Sequence, residues 1–154
     1  MLITTEDLDK TIAEFDSNPN FVDKAFDQLE KDNQLMLDIL LGSYSELLTE
    51  EELDYLVFLF GVLYFSYAKK GTIQNFTEIQ INNTEESTWQ LINQDKDFGK
   101  CIDRFFETSE EKDVLEFIEL SIGPVDDSEI KISDEGRITM LAVLMSELLL
   151  LQMQ

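Results

Sequence analysis

The chain contains 154 residues, with 33 Asp and Glu against 11 Lys and Arg, no histidine and a formal net charge of −22. This charge argues against nucleic acid or an anionic membrane as a partner, because like charges repel. The missing histidine removes the commonest metal ligand and the usual acid–base group near neutral pH. The 44% hydrophobic content excludes a disordered acidic chain and predicts one folded domain over residues 1–154.

The single cysteine predicts a reducing, cytoplasmic setting, and the short apolar runs predict that no segment spans a membrane. The single cysteine, Cys101, excludes an internal disulfide. Residues 1–7 lack the basic and apolar stretches of a secretion signal. The longest apolar run, residues 55–65, covers 11 positions against the roughly 20 that a membrane span needs. We therefore expect no membrane-bound segment.

Apolar residues recur at helical spacing through the first third of the chain. Thr4 and Asp7 have the spacing of a capping box and begin the first helix. Its apolar stripe is Leu8, Ile12 and Phe15. Residues 18–20, Asn-Pro-Asn, end this helix, and the next stripe is Phe21, Ala25, Phe26 and Leu29. A further helical stretch is predicted over 35–41, with Gly42 as its C-terminal cap.

The most apolar helix follows at residues 50–70. Thr49 and Glu52 form a second capping box, and residues 53–68 are apolar on nearly every side. A helix of this kind belongs at the centre of a bundle. Another strongly apolar helix is predicted at 134–151, and the two should form the core together.

Residues 77–82 and 128–133 both alternate apolar and polar side chains, which predicts two short strands. Segments 78–81 and 129–132 would then pair as a two-stranded β ribbon. Each strand is followed by a predicted helix, at 85–94 and 134–151. The similarity of the two segments has two explanations. One is an internal duplication of about 49–95 and 100–150, and the other is the independent origin of two Ile-x-Ile segments. We favour the second.

Two further helices complete the predicted fold. They cover residues 97–107 and 110–122, with Ser109 as the N-cap of the second. The predicted fold class is mainly α, a multi-helix bundle of about six to eight helices, to which the short β ribbon would be an addition.

No motif in the sequence predicts a metal site, a cofactor site or a catalytic group. Residues 93–99 resemble a calcium loop, but the glycine is misplaced and Phe106 stands where the bidentate Glu is required. An oxygen-ligated cation at residues 126–129 is a weaker alternative to a solvated acidic turn. Cys101 has no histidine to activate it and is expected to be a buried apolar residue.

Glu147 is the most unusual single residue, because it lies in an otherwise apolar helix. The favoured interpretation places it on a narrow polar strip facing solvent. The alternatives are a pair with a basic residue and a raised pKa that could serve function. The aromatic residues of the 50–70 helix are interpreted as core, with a ligand pocket as the alternative. They are Tyr55, Phe58, Phe60, Tyr64, Phe65 and Tyr67.

The C-terminal helix also offers two interpretations. Its leucines surround the helix axis, so one face left uncovered by the bundle would allow homodimerisation. The residues of that face would be Leu148, Leu149 and Leu151. Alternatively, the helix passes through the middle of the bundle and is covered on all sides.

The predicted function is a non-enzymatic protein–protein interaction with a basic partner, for instance as an inhibitor or immunity-type protein. The basis is the distribution of charge, since residues 1–56 and 106–154 hold 27 of the 33 acids. The predicted partner-binding residues are Glu50, Glu51, Glu52, Glu107, Glu110 and Glu111. The alternative is a small-molecule or carboxylate–metal enzyme with a pocket near the central aromatic helix. It ranks lower because no ordered set of catalytic residues is visible.

Overall fold

The computed structural model describes residues 2–124 and 130–153. Within these ranges the chain forms seven α-helices, one 3-10 helix and no strand, which confirms the predicted helical bundle. The α-helices are α1 (Thr5–Ser17), α2 (Pro19–Leu40), α3 (Glu50–Ala68), α4 (Glu78–Asn93), α5 (Phe98–Thr108), α6 (Lys112–Ile122) and α7 (Asp134–Leu151). The 3-10 helix, Gly42–Leu47, connects α2 to α3.

Polar side chains fix where most helices begin. The capping boxes at Thr4–Asp7 and Thr49–Glu52 are both present, as predicted, with each side chain bonded to the other residue's backbone N–H. Asn18, between α1 and α2, accepts a hydrogen bond from the Phe21 N–H. These bonds satisfy N–H groups that have no partner within the first turn of a helix.

The bundle is built around α3 and α7, as predicted. In α7, 13 of the 18 residues are buried, so neighbouring elements cover it on every side. Helix α4 packs against α7, and α1 packs against α3. At Gly61 of α3 the rings of Phe15 and Phe26 approach so closely that a Cβ would lie 2.7 Å from the Phe26 ring. The glycine therefore permits close packing of the first three helices.

The C-terminal helix is covered within one chain. Leu148 and Leu151 are fully buried, and Leu149 is half-buried. The uncovered apolar face expected for homodimerisation is therefore absent from α7, and the alternative interpretation applies. None of the described helices has both the length and the apolar character of a membrane span.

The predicted strand at residues 77–82 is wrong, because this segment is the start of α4. Thr77 and Gln80 form a third capping box, which initiates a helix at this point. Ile81 is buried and Ile79 is 72% exposed, as expected for positions on different faces of a helix. The β ribbon cannot form with 78–81 helical. Its other segment contains Ile130 and Ile132, which are in irregular structure, while residue 129 lies outside the described residues.

Two helix boundaries also differ from the prediction. Helix α2 includes both the second predicted helix and most of the further helical stretch predicted over 35–41, with a kink at the buried Asn33 between them. The Asn33 side chain donates to the Tyr64 hydroxyl and the Gln74 carbonyl, and it accepts from the Phe76 N–H. These long-range bonds hold Asn33 at the kink, where its backbone departs from helical geometry.

Helix α6 begins later than predicted, and Ser109 is not its N-cap. The N-cap position is occupied by Glu111, which makes no side-chain capping bond. The Ser109 hydroxyl instead accepts from the Glu111 N–H at 3.1 Å. Glu111 is thereby held just before the helix with its carboxylate free to point elsewhere.

Candidate functional site

The six glutamates predicted to bind a partner fall into two separate groups. Glu50, Glu51 and Glu52 occupy the first turn of α3, whereas Glu111 contacts Tyr67 near the other end of this helix. At 1.5 Å per residue, Glu52 and Tyr67 are about 22 Å apart along the axis. The two groups therefore do not converge on one face.

The same six glutamates also differ in their exposure to solvent. Glu52 is 2% exposed and Glu111 is 1% exposed, so neither presents its carboxylate to a protein partner. Glu50, Glu51, Glu107 and Glu110 are exposed. Glu52 and Glu111 are therefore corrected from surface contacts to buried carboxylates, held by the Thr49 and Ser133 N–H groups and by the Ile3 N–H, respectively.

The N-terminal end of α3 contributes to an open concavity of about 560 Å³, which we call the α3 recess. It is lined by Glu50, Glu51, Asp54, Tyr55 and Ile130. The Tyr55 hydroxyl donates to the Ser121 carbonyl at 2.8 Å, which fixes the ring against α6. Burial raises the pKa of Tyr55, so the phenol remains neutral. The recess thus has a rigid aromatic wall and three carboxylates.

Glu52 lies on the same turn but joins α3 to α7. Its carboxylate accepts from the Thr49 N–H at 2.9 Å and from the Ser133 N–H at 2.9 Å. The Ser133 hydroxyl adds a third bond at 3.0 Å while it caps α7 through the Gly136 N–H. Burial alone would raise the pKa of Glu52, but the backbone donors of Thr49 and Ser133 outweigh it, and the pKa is lowered.

A second concavity, the Tyr67 pocket, lies at the C-terminal end of α3 and has a volume of about 360 Å³. Its walls combine apolar side chains with two carboxylates. The main lining residues are Leu2, Tyr67, Ile73, Glu110, Glu111 and Leu151. Residues near both ends of the chain therefore meet beside the central helix.

Glu111 is the organising residue of the Tyr67 pocket. The Ile3 N–H donates to both carboxylate oxygens, at 2.9 and 3.3 Å, and the Tyr67 hydroxyl donates to Oε2. Burial raises the pKa of Glu111, the Ile3 N–H and the positive charge of the N-terminus oppose the rise, and the charges of Asp113 and Asp7 add to it. Of the seven described α-helices, α6 is the one whose N-cap residue forms no side-chain capping bond.

Glu147 does not face solvent, contrary to the favoured interpretation. It is completely buried in the middle of α7, and neither carboxylate oxygen has a hydrogen-bond partner. Burial raises its pKa well above the ordinary value, so the side chain is the neutral acid. The expectation failed because α7 is covered on all sides and has no solvent-facing strip.

Cys101 has a structural role in the core. Cys101 is buried, as predicted, and burial raises the pKa of its thiol. Residues 126–129, the weaker cation candidate, lie outside the described residues. In the described part of the chain, no group of three or more Asp, Glu or Cys side chains has the proximity needed to hold a metal ion.

The aromatic residues of α3 divide between core and concavities. Phe60 is fully buried, whereas Tyr55 and Tyr67 line the α3 recess and the Tyr67 pocket. The contribution of Leu2 and Ile3 was missed, because the sequence carries no local signal for a contact with Glu111 that joins positions 108 apart.

Comparison with known proteins gives no relative from which function could be transferred. No protein-family model, curated protein or solved structure matches the chain. A functional assignment therefore depends on the chemistry of the two concavities.

Proposed function

We propose that the protein is a non-enzymatic interaction module, active in the cytoplasm, that binds a basic protein partner through the α3 recess. The observation that supports this proposal is the lining of the recess. Glu50, Glu51 and Asp54 line the recess together with Tyr55, and among the described residues no Lys or Arg lines it. None of the ion pairs between described residues involves these three carboxylates. Their charges remain available to a partner.

The chemistry of the recess suits an arginine or lysine side chain. A guanidinium group can make two parallel hydrogen bonds to a carboxylate, and its planar face is attracted to an aromatic ring. Tyr55 is already fixed by its bond to Ser121, so its ring loses little conformational freedom on binding. The net charge of −22 would accelerate the encounter with a basic protein. An inhibitor that covers the basic site of a nucleic-acid enzyme is one function of this type.

A pair of charge-matched variants tests the proposal. The recess variant replaces three carboxylates that line the concavity: Glu50→Gln, Glu51→Gln and Asp54→Asn. The control variant replaces three exposed carboxylates on α4, α5 and α6 that lie outside the recess: Glu86→Gln, Asp103→Asn and Glu116→Gln. Both variants lose three negative charges, so non-specific attraction falls equally in the two.

Association with an immobilised arginine-rich peptide, measured by surface plasmon resonance at low and physiological salt, distinguishes the two variants. We expect the recess variant to bind about tenfold more weakly than the control, since it loses specific contacts as well as charge. Equal loss in both variants would show that the peptide senses only net charge. The α3 recess would then not be a binding site.

A further inference from the structure

We infer that the surface around Glu110 docks a basic, amphipathic segment of a partner protein, with one apolar side chain on each side of Glu110 and a lysine or arginine opposite its carboxylate. This surface, the Glu110 groove, lies at the C-terminal end of α3 and is distinct from the α3 recess at the other end. Its solvent-accessible residues are Leu2, Ile73, Leu91, Glu110, Leu149 and Gln152.

Two concavities meet in the Glu110 groove. The Tyr67 pocket lies on one side, and a concavity of about 300 Å³ bordered by α4, α5 and α7 lies on the other. Glu110 and Gln152 line both, so these two side chains form the common boundary. The Gln152 amide donates to the Ser109 hydroxyl at 3.5 Å, which ties the end of α7 to the segment before α6. The groove therefore consists of two adjacent depressions around one carboxylate.

Apolar side chains are accessible to a partner in both depressions. Leu2 is 54% exposed and Ile73 is half-buried on the side of the Tyr67 pocket. Leu91 and Leu149 are half-buried on the other side. The buried members of the lining, Glu111 among them, are not available to a partner. Covering both depressions at once requires two apolar anchors, as an amphipathic segment provides when it lies in a groove.

The exposed charge between the two depressions is negative. Glu110 and Glu107 are exposed, and none of the ion pairs between described residues involves either of them. The positive charge of the N-terminus acts on the buried Glu111, where the negative charges of Asp7 and Asp113 oppose it. A lysine or arginine is therefore the complementary side chain for the Glu110 carboxylate.

The lysines that neighbour this region in the sequence are engaged elsewhere. Lys70 pairs with Asp7 at 3.1 Å. Lys112 donates to the Phe106 carbonyl, and its nitrogen lies 5.9 Å from the centre of the Phe106 ring. Among the described residues no Lys or Arg lines either depression, so the Glu110 carboxylate is open to a cation from another molecule.

Charge also selects the kind of occupant. A second copy of this chain would bring together two molecules with a net charge of −22 each, which repel one another. A segment rich in lysine and arginine is attracted instead. The apolar anchors would supply most of the affinity and Glu110 mainly the orientation, because an exposed ion pair contributes little.

Calorimetric titration of the full chain with three peptides tests this docking surface. The first repeats Leu-Lys-Lys-Leu three times, which places the leucines on one face of a helix. The second has serine at every leucine, and the third has glutamate at every lysine. At physiological salt we expect the first to bind at least about tenfold more tightly than either of the others, because apolar contact and charge both contribute. Equal binding of the second or of the third peptide would overturn the inference.

Apolar variants locate the anchors. Leu2→Ser and Leu149→Ser, one in each depression, should each weaken binding of the leucine–lysine peptide about three- to fivefold. Ile79→Ser, a control that is 72% exposed at the start of α4, should change it less than about twofold. If Leu149→Ser does not fold, the exposed Leu2→Ser still decides the outcome. Unchanged affinity in Leu2→Ser would overturn the inference.

Charge variants test the position of the basic side chain. Glu110→Gln should weaken binding about two- to fivefold at low salt and less at physiological salt, because salt screens an exposed pair. Glu116→Gln, an exposed control on α6, should change binding less than about twofold. Equal effects of the two variants would show that the peptide senses net charge alone, and the Glu110 groove would then not be its site.

This docking surface does not depend on the proposed function, and two measurements separate them. The recess variant and its charge-matched control should bind the leucine–lysine peptide with affinities within about twofold of each other. A recess variant at least about tenfold weaker than its control would place the peptide in the α3 recess, which would overturn the Glu110 groove and leave the proposed function intact. In sedimentation equilibrium, self-association of the free chain that Leu2→Ser abolishes would make a second copy the occupant and overturn the choice of a basic partner.

Discussion

Glu52 at the start of α3 and Glu147 in the middle of α7 are both buried glutamates on the two central helices, and their surroundings are opposite. The carboxylate of Glu52 accepts three hydrogen bonds, from the Thr49 N–H and from the N–H and hydroxyl of Ser133. The carboxyl group of Glu147 has no partner. The pKa is lowered at Glu52 and raised at Glu147. Burial alone therefore does not determine the charge of a glutamate in this protein.

The availability of backbone donors explains the difference. The first turn of a helix has N–H groups without intrahelical partners, and two helices begin beside Glu52. In the middle of α7 the backbone N–H groups are already used by the helix, and no side chain of the described residues donates to the Glu147 carboxyl oxygens. A carboxylate is thus stabilised at a helix junction, whereas in the helix interior only the neutral acid is tolerated.

The largest expected effect comes from disrupting the junction at Gly136. A Cβ at this position would overlap the Glu52 carboxylate and lie 2.8 Å from the Ser133 hydroxyl. We expect Gly136→Ala to lower the free energy of unfolding by about 3 kcal/mol, through overpacking and loss of the Glu52 bonds. Urea denaturation measures this change.

Gly42→Ala is the matched control for that variant. Nothing lies within 4 Å of a Cβ at Gly42, and no described glycine has a positive φ. This substitution should be neutral or stabilising by up to about 1 kcal/mol, because alanine restricts the unfolded chain. Equal effects at the two glycines would mean that the Glu52 junction contributes little to stability.

A smaller pair of effects should have opposite signs. Replacing Glu147 by Met removes an unpaired polar group from the core and should stabilise the protein by about 1–3 kcal/mol near pH 7. The same replacement at Glu52 leaves backbone donors without their acceptor and should destabilise it by a similar amount, about 1–3 kcal/mol. Thermal and urea unfolding of both variants measure the two changes. Changes in the free energy of unfolding that have the same sign would contradict this comparison.

The pH dependence of the two variants should differ as well. Because the pKa of Glu147 is raised, the native state retains a proton that the unfolded state releases, and stability decreases as pH rises above about 4.3, the unfolded value. The gain from Glu147→Met should therefore grow with pH above that value. Glu52 has a lowered pKa, so its contribution is present above the unfolded value and is lost as pH falls through the folded pKa.

Much of this fold could be predicted from the sequence because its signals are local. The capping boxes at Thr4 and Thr49, and the apolar character of α3 and α7, depend on residues within a few positions of one another. The prediction of a strand at 77–82 was wrong, although the sequence signal for a helix at this point was also local. Thr77 and Gln80 form a capping box, and this bond pattern prevailed over the alternation of Ile79 and Ile81.

The concavities and the buried acids were less predictable for a physical reason. A helix that is apolar on all sides, such as α7, has no amphipathic pattern to show whether Glu147 is covered. The Tyr67 pocket depends on the approach of Ile3 to Glu111 across 108 positions, which no local pattern records. The α3 recess was partly predictable, since Glu50 and Glu51 were identified from charge alone.

A carboxyl-carbon NMR titration of the native protein, with signals assigned from Glu52→Gln and Glu147→Gln, tests most directly whether backbone donors set the charge of these two acids. The signal of Glu147 should remain that of the neutral acid well above about pH 4.3, the pKa of a glutamate in an unstructured peptide. The signal of Glu52 should remain that of the carboxylate below this value. Titration of both residues at the value of the unstructured peptide would contradict the proposed difference between the helix junction and the helix interior.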